Sequence, residues 1–142
     1  MMLELTESQK AYLAGFIDGE GSLLLQPHRR KDWKRVYYCP EVDVYNTDPE
    51  ILSVLREWTG LGSVNAFHNS KKPSHYKIRY TWRITGLKAK MLLNTLLPYL
   101  QIKRKQAELL INCSHDGHIR NNRREHEIIH EAIQVLNKGR IG

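Results

Sequence analysis

Cysteine is scarce in this chain. Two thiols, Cys39 and Cys113, among 142 residues cannot build a disulfide framework, which excludes the small bridge-stapled secreted domains and agrees with a reducing compartment. Long apolar runs are missing too: none approaches the roughly 18 residues of a membrane span. The opening MMLELTESQK is acidic and polar where a secretory signal is basic and then apolar. The expectation is a soluble, intracellular protein with no membrane partner. Pro/Gly/Ser-rich and low-complexity tracts are also absent, so nothing reads as a linker and residues 1–142 are expected to form one domain. Acidic residues are the minority charge, 15 against 22 basic, for a net +7. That balance favours a polyanionic partner through counterion release, although solubility alone would also explain it, so the distribution of charge has to decide.

Periodicity supplies the elements. Residues 7 to 19 predict a helix with Tyr12, Leu13, Phe16 and Ile17 apolar and Thr6 or Ser8 as its cap. Residues 22 to 30 predict a strand, and Val36 to Tyr45 alternate as a second one, where Pro40 suits an edge or a bulge better than a central place. NTDPEILSVLREWTGLG predicts a short helix capped by Thr47 or Asp48, opened by Pro49 and stopped by Gly60. SVNAFHNSKKPSHYKIRYTWRIT predicts a hairpin turning near residues 70 to 74. Helices follow over 87 to 97, 103 to 113 and 122 to 137. The order α-β-β-α-β-β-α, then α-α, predicts an α+β fold: a four-stranded antiparallel sheet with helices on one face.

The other face of that sheet is polar. It collects Leu24, Gln26, His28 and Arg30 from the first strand, Tyr37, Glu41 and Asp43 from the second, Asn65 from the third, and Lys77, Arg79, Thr81 and Arg83 from the fourth. Four strands with the same mixture of donors, acceptors and charge favour a base-reading surface over a merely solvated one, because a β-ribbon can enter the major groove and Arg, Lys, Gln and Asn can meet base edges.

YLAGFIDGEGS, residues 12 to 22, ends an apolar helix in two carboxylates separated by glycine. Ala11, Gly15 and Gly19 recur every four residues and share one helix stripe almost devoid of side chain. Each interior glycine costs up to about 1 kcal/mol relative to alanine, so two of them imply a closely approaching backbone. Two partners fit: another helix of the same chain, or a second copy of this helix across a two-fold axis. In the second case the two Glu20 side chains emerge beside the axis, and paired carboxylates next to phosphate call for a divalent cation. Asp18 fits a local capping role as well as metal binding.

LAGFIDGEG, Leu13 to Gly21, resembles the signature motif of the LAGLIDADG homing endonucleases, with Glu20 at the terminal acidic position. NTDPE, GLGSV and LPYLQIKRKQAELL extend the resemblance over roughly residues 10 to 112. The resemblance implies a site-specific double-strand DNA endonuclease on the family's αββαββα fold. One motif per chain implies a homodimer on a long pseudo-palindromic double-stranded DNA target, cut to short 3′ overhangs, with no small-molecule substrate. It implies Mg²⁺, or Mn²⁺, held by Glu20 and the Gly19 carbonyl, with Asn46 and Lys103 in the catalytic set and Arg104 and Lys105 beside them. It also implies a dimer interface of Ala11, Gly15, Asp18 and Gly19. Pro49, Glu50 and Ile51 stand where the family sometimes carries a basic residue in the second helix. A non-cutting binder on the same scaffold, an intron RNA maturase or a DNA-binding regulator, is the alternative.

Other motifs carry less. HEIIH, residues 126 to 130, fits the zinc-peptidase pattern, but after His130 only Glu131 could serve as the third ligand, and a solvated or DNA-facing helix surface is the expectation. CSHDGH, residues 113 to 118, has no second ligand pair at finger spacing. HRRKDWKR, residues 28 to 35, is expected as a DNA-contacting loop.

Overall fold

The computed structural model describes residues 3–29, 36–67, 78–113 and 123–138. The hairpin turn, the basic loop beyond Arg29, Arg30, Lys77 and most of CSHDGH lie outside the described residues.

Helix α1 (Glu7–Glu20) starts where Thr6 and Gln9 exchange hydrogen bonds: the Gln9 N–H donates to Thr6 Oγ1 at 3.1 Å and the Thr6 N–H to Gln9 Oε1 at 3.0 Å. Such a capping box satisfies two otherwise orphaned donors. The helix stops at Gly21, which turns into strand β1 (Gly21–Arg29). A Cβ on Gly21 would stand 2.7 Å from the Ile17 carbonyl oxygen, so the last glycine of the motif is required by close approach. Strand β2 (Val36–Asn46) runs back antiparallel, and helix α2 (Pro49–Thr59) follows with Asp48 capping the Glu50 N–H at 2.9 Å and Gly60 closing the helix at φ 68°. Strands β3 (Ser63–Phe67) and β4 (Arg79–Thr85) complete a sheet of order β1-β2-β4-β3. Helix α3 (Gly86–Leu96) leads through a 3-10 turn at Leu97–Tyr99 to α4 (Arg104–Asn112) and α5 (Arg123–Lys138).

The core lies between the helices and one sheet face. Leu23, Leu25, Val42, Val44, Trp82 and Ile84 of the strands meet Leu13 and Ile17 of α1, Leu52 and Leu55 of α2, Leu92, Leu93 and Leu96 of α3, Leu110 of α4 and Ile133 of α5, all fully buried. Trp82 is the largest of them, and its indole N–H donates to the Leu61 carbonyl at 2.8 Å. Removing these side chains from water is the main stabilising contribution.

One expectation is met in an unforeseen way and one changes. Pro40 lies in a strand flanked on both sides, but the β2–β4 ladder ends at the Glu41–Thr85 pair, so at Pro40 the sheet is only two strands wide and its missing N–H breaks no ladder toward β4. The histidines of HEIIH face inward: His126 is buried, and His130 Nδ1 lies 2.8 Å from the Leu25 carbonyl, which can only accept, so Nδ1 carries the hydrogen. Both rings pack on Tyr38, with centroids 6.0 and 5.5 Å away. Asn137 Nδ2 donates to the Leu23 carbonyl at 3.3 Å. Helix α5 thereby covers the free edge of β1, an edge that would otherwise offer unpaired carbonyls to another chain. No helix among the described residues is long and apolar enough to cross a membrane.

Gly62 has φ 76°, and an added Cβ would overlap the Arg83 carbonyl oxygen and reach within 2.9 Å of both Trp82 Nε1 and Ile84 Cγ1. Gly62→Ala is expected to lower stability by about 2–4 kcal/mol, through backbone strain and overpacking together; urea denaturation of both proteins measures it.

Candidate nucleic-acid interface

Cross-strand register defines the polar face. One row runs Ser22, Asp43, Arg83, Ser63 across all four strands; the next on one side pairs Leu24 with Glu41 and Thr85, and on the other Tyr45 with Thr81 and Asn65. Farther along β1 and β2, Gln26 lies opposite Cys39 and His28 opposite Tyr37, whose rings stack at 5.3 Å. Arg79 lies opposite Phe67, and its guanidinium sits 5.7 Å from the Tyr45 ring centre. Leu24, Gln26, His28, Tyr37 and Tyr45 are half-buried, whereas Asn65 and Arg79 are exposed. The polar residues of the alternating pattern therefore share one surface, as expected from a period of two.

Glu41 and Asp43 do not stand free on that surface. Both are buried, and Arg83 covers them: its Nε donates to Asp43 Oδ1 at 2.7 Å, its Nη2 to Asp43 Oδ2 at 3.2 Å, and Glu41 Oε2 lies 3.6 Å from Nε. The Tyr45 hydroxyl donates to Asp43 Oδ2 at 3.3 Å. Burial, then hydrogen bonding with Asp43 and repulsion from its charge, push the Glu41 carboxyl up to about 7 despite Arg83. Burial also raises the Tyr45 phenol, and its bond to Asp43 raises the Arg83 guanidinium further. Tyr45 is the member of this cluster that pattern reading left out; its place on the same strand face was the available signal. Thr81 is buried with its hydroxyl unpartnered among the described residues.

The acidic corner lies at one end of this face. Glu20 and Gly19 are exposed at the last turn of α1, immediately before Gly21 pairs with Val44. Asp18, two residues before Glu20, is turned inward. Its Oδ2 accepts from the Gln101 N–H at 2.8 Å and its Oδ1 from the Ile102 and Lys103 N–H groups at 3.1 and 2.9 Å. Lys103 Nζ donates to the Asp18 backbone carbonyl at 2.6 Å, which puts its ammonium at the negative end of the helix. Arg104 is tied to Glu108 and the Leu97 carbonyl, and Lys105 is exposed. Asn46 ends β2 two residues beyond the Gly21–Val44 pair, and its Oδ1 accepts from the Asp48 N–H at 2.8 Å. Glu20, Gly19, Asn46 and Lys103 thus belong to the same end of the sheet, and Asp18 is a structural tie.

The small-residue stripe is open. Ala11, Gly15 and Gly19 are exposed, and among the described residues nothing beyond the helix's own backbone stands within 4 Å of a Cβ added to Gly15 or Gly19. A glycine seam against another helix of the same chain is therefore excluded among the described residues. Beside the stripe, Tyr12 is 47% exposed and meets Trp58 edge-on at 5.7 Å, with Val54 also exposed.

Neither a family model nor any curated protein matches the chain by sequence. Solved structures do match. The homing endonuclease I-CvuI, in complex with the I-CreI target, aligns at a TM-score of 0.74 and 24% identity over 92% of this chain and 82% of that one. This is the homing-endonuclease fold. The archaeal intron-encoded homing endonuclease I-Vdi141I, complexed with DNA, shares it at a TM-score of 0.60 and 15% identity, over 92% of this chain and 98% of that one. The meganuclease I-SmaMI, bound to uncleavable DNA, shares it at 0.61 and 16%, over 92% of this chain but 44% of the longer one. The α+β architecture with its four-stranded antiparallel sheet is that of these proteins.

Two measurements probe the site's chemistry. Glu41 titrates near 7 in the fold against an ordinary 4.5, so its contribution to stability is complete below the unfolded value and fades as pH rises through about 7. Wild-type melting temperature is expected to fall between about pH 5 and 8, and Glu41→Gln to flatten that fall; thermal scans at several pH values show it. Asp18→Asn replaces an acceptor for three N–H groups by an amide with a donor of its own. A loss of about 1–3 kcal/mol in chemical denaturation is expected.

Proposed function

We propose that the chain is a site-specific, metal-dependent double-strand DNA endonuclease of the homing type, acting as a homodimer on a pseudo-palindromic target and leaving short 3′ overhangs. The observation that carries this reading is the exposed Glu20 at the end of a helix whose glycine stripe meets no other element among the described residues. A second copy of α1 laid on Ala11, Gly15 and Gly19 would cover that stripe, with Tyr12, Val54 and Trp58 widening the contact. It would also bring two Glu20 carboxylates together beside the axis.

The residues fit Mg²⁺ or Mn²⁺. Among the described residues no three of His, Cys, Asp and Glu cluster as a complete protein cage, whereas Mg²⁺ takes one or two carboxylates and fills its shell with water and phosphate oxygens. Glu20 supplies a carboxylate, and Gly19 a carbonyl at the negative end of α1. When bound there, the ion lowers the pKa of water and stabilises developing charge on phosphate oxygen. Lys103 holds a positive charge at the same helix end, suited to a non-bridging phosphate oxygen, and Asn46 offers a polar side chain at the neighbouring strand end. The polar face, with Leu24, Gln26, His28, Tyr37, Asn65, Arg79, Thr81 and Arg83, lies in the major groove of one half-site. Arg30 and Lys77 extend the basic set in sequence, and the net charge of +7 supports tight, salt-sensitive binding.

Incubating a randomised or host-genomic DNA library with the protein and Mg²⁺, then sequencing the ends, tests the reading. Defined double-strand breaks are expected from the wild type, with Glu20→Gln reducing cleavage by at least about a hundredfold. Tight binding of one sequence that leaves both strands intact in Mg²⁺ and Mn²⁺ would overturn cutting in favour of a maturase or regulator.

A further inference from the structure

We propose that Arg83 reads a guanine at an inner base pair of each half-site, and that Asp43 and Glu41 are positioning residues that hold its guanidinium rather than base readers themselves. The inference rests on the DNA-binding reading above and names one contact within it.

The geometry of the ion pair carries the argument. Asp43 takes the side edge of the guanidinium, through Nε at 2.7 Å and Nη2 at 3.2 Å. Among the described residues two of five N–H donors are used, and the end edge, formed by Nη1 and the second hydrogen of Nη2, is left as a parallel fork. That fork matches one base edge in the major groove: guanine O6 and N7 are two adjacent acceptors, whereas adenine puts a donor beside its N7. Exposure agrees. The Arg83 side chain is 52% exposed while those of Asp43 and Glu41 are 2% and 7% exposed, so the guanidinium is the group this cluster offers outward.

Carboxylates on a phosphate-facing surface would ordinarily oppose binding. Here Asp43 is neutralised by Arg83, and Glu41, raised to about 7, keeps its proton in part at neutral pH. Among the described residues, the Tyr45 hydroxyl faces Asp43, the Cys39 thiol lies beside Glu41, and Lys88 lines a recess with Arg83; Ser22 and Ser63 complete the row. A guanidinium fixed before DNA arrives loses less side-chain freedom on binding than a free arginine does, and a wrong base then meets an oriented fork instead of an adaptable one. The place in the target follows from register. Ser22 is two residues after Glu20 and lies in the row of Arg83, whereas Gln26 and His28 lie farther along β1. If Glu20 marks the cut, Arg83 stands over inner base pairs, one row outward from Tyr45, Thr81 and Asn65 and inward of Gln26 and His28.

The test is sequence selection from a randomised duplex library in EDTA, with the bound DNA sequenced for wild type, Arg83→Lys, Arg83→Ala and Asp43→Asn. Wild type is expected to select guanine at one inner position of each half-site. Arg83→Lys keeps a cation on Asp43 without the fork, and is expected to reduce that preference about tenfold while the other positions keep theirs. Asp43→Asn is expected to weaken the same position alone, a readout that general loss of stability would not give. Guanine preference unchanged in both Arg83 variants, or a uniform loss of affinity with every preference retained as for a phosphate contact, would overturn the inference and leave the nuclease reading standing. A wild type that selects no sequence would overturn both.

Discussion

Three backbone N–H groups converging on one buried carboxylate hold the acidic corner together. Asp18 receives Gln101, Ile102 and Lys103, and so fastens the segment that opens α4 to the last turn of α1, more than eighty residues away in sequence. Lys103 closes the tie from the other side by donating to the Asp18 carbonyl. A carboxylate in this setting is both a fixed charge and a template, since each oxygen has lone pairs aimed at a separate donor. The orientation of Gly19 and Glu20 depends on it because they follow directly in the chain, before Gly21 enters the sheet.

The polar face shows a related economy. Asp43 and Glu41 are acidic residues in a surface that otherwise favours polyanions, yet Arg83 covers both, and Tyr45 bonds Asp43 from the same strand. Their charges are spent inside the protein. The cluster also raises Glu41 to about 7, so its proton is retained where an isolated carboxylate would have lost it.

Local signals made most of the architecture legible. Thr6 with Gln9, Asp48 with Pro49, and Gly60 mark helix ends by short-range hydrogen bonding, and the alternation around Trp82 marks a strand face; all need only neighbouring residues. The rest is non-local. Pro40 is tolerated because the sheet narrows at that row, a fact set by the length of β4. The inward turn of His126 and His130 depends on the edge of β1 needing donors for its carbonyls. Alternation put Glu41, Asp43 and Arg83 on one face but could not show that they bind one another, because a shared face fixes direction and not pairing. The glycine stripe is equally open in sequence to an internal or an external partner, and only the space around Gly15 and Gly19, clear of other elements among the described residues, decides against the internal one.

The narrowing of the sheet at Pro40 also grades its mechanical character. Beside Glu20 the sheet is four strands wide, with Ser22, Asp43, Arg83 and Ser63 in one row, whereas from Gln26 outward β1 and β2 pair only with each other. A two-stranded ribbon twists more readily than a wide sheet. The end that holds the acidic corner is therefore the stiff end, and compliance grows with distance from it toward His28 and Tyr37, so this surface can follow a curved helical neighbour at its tip while staying rigid at its base.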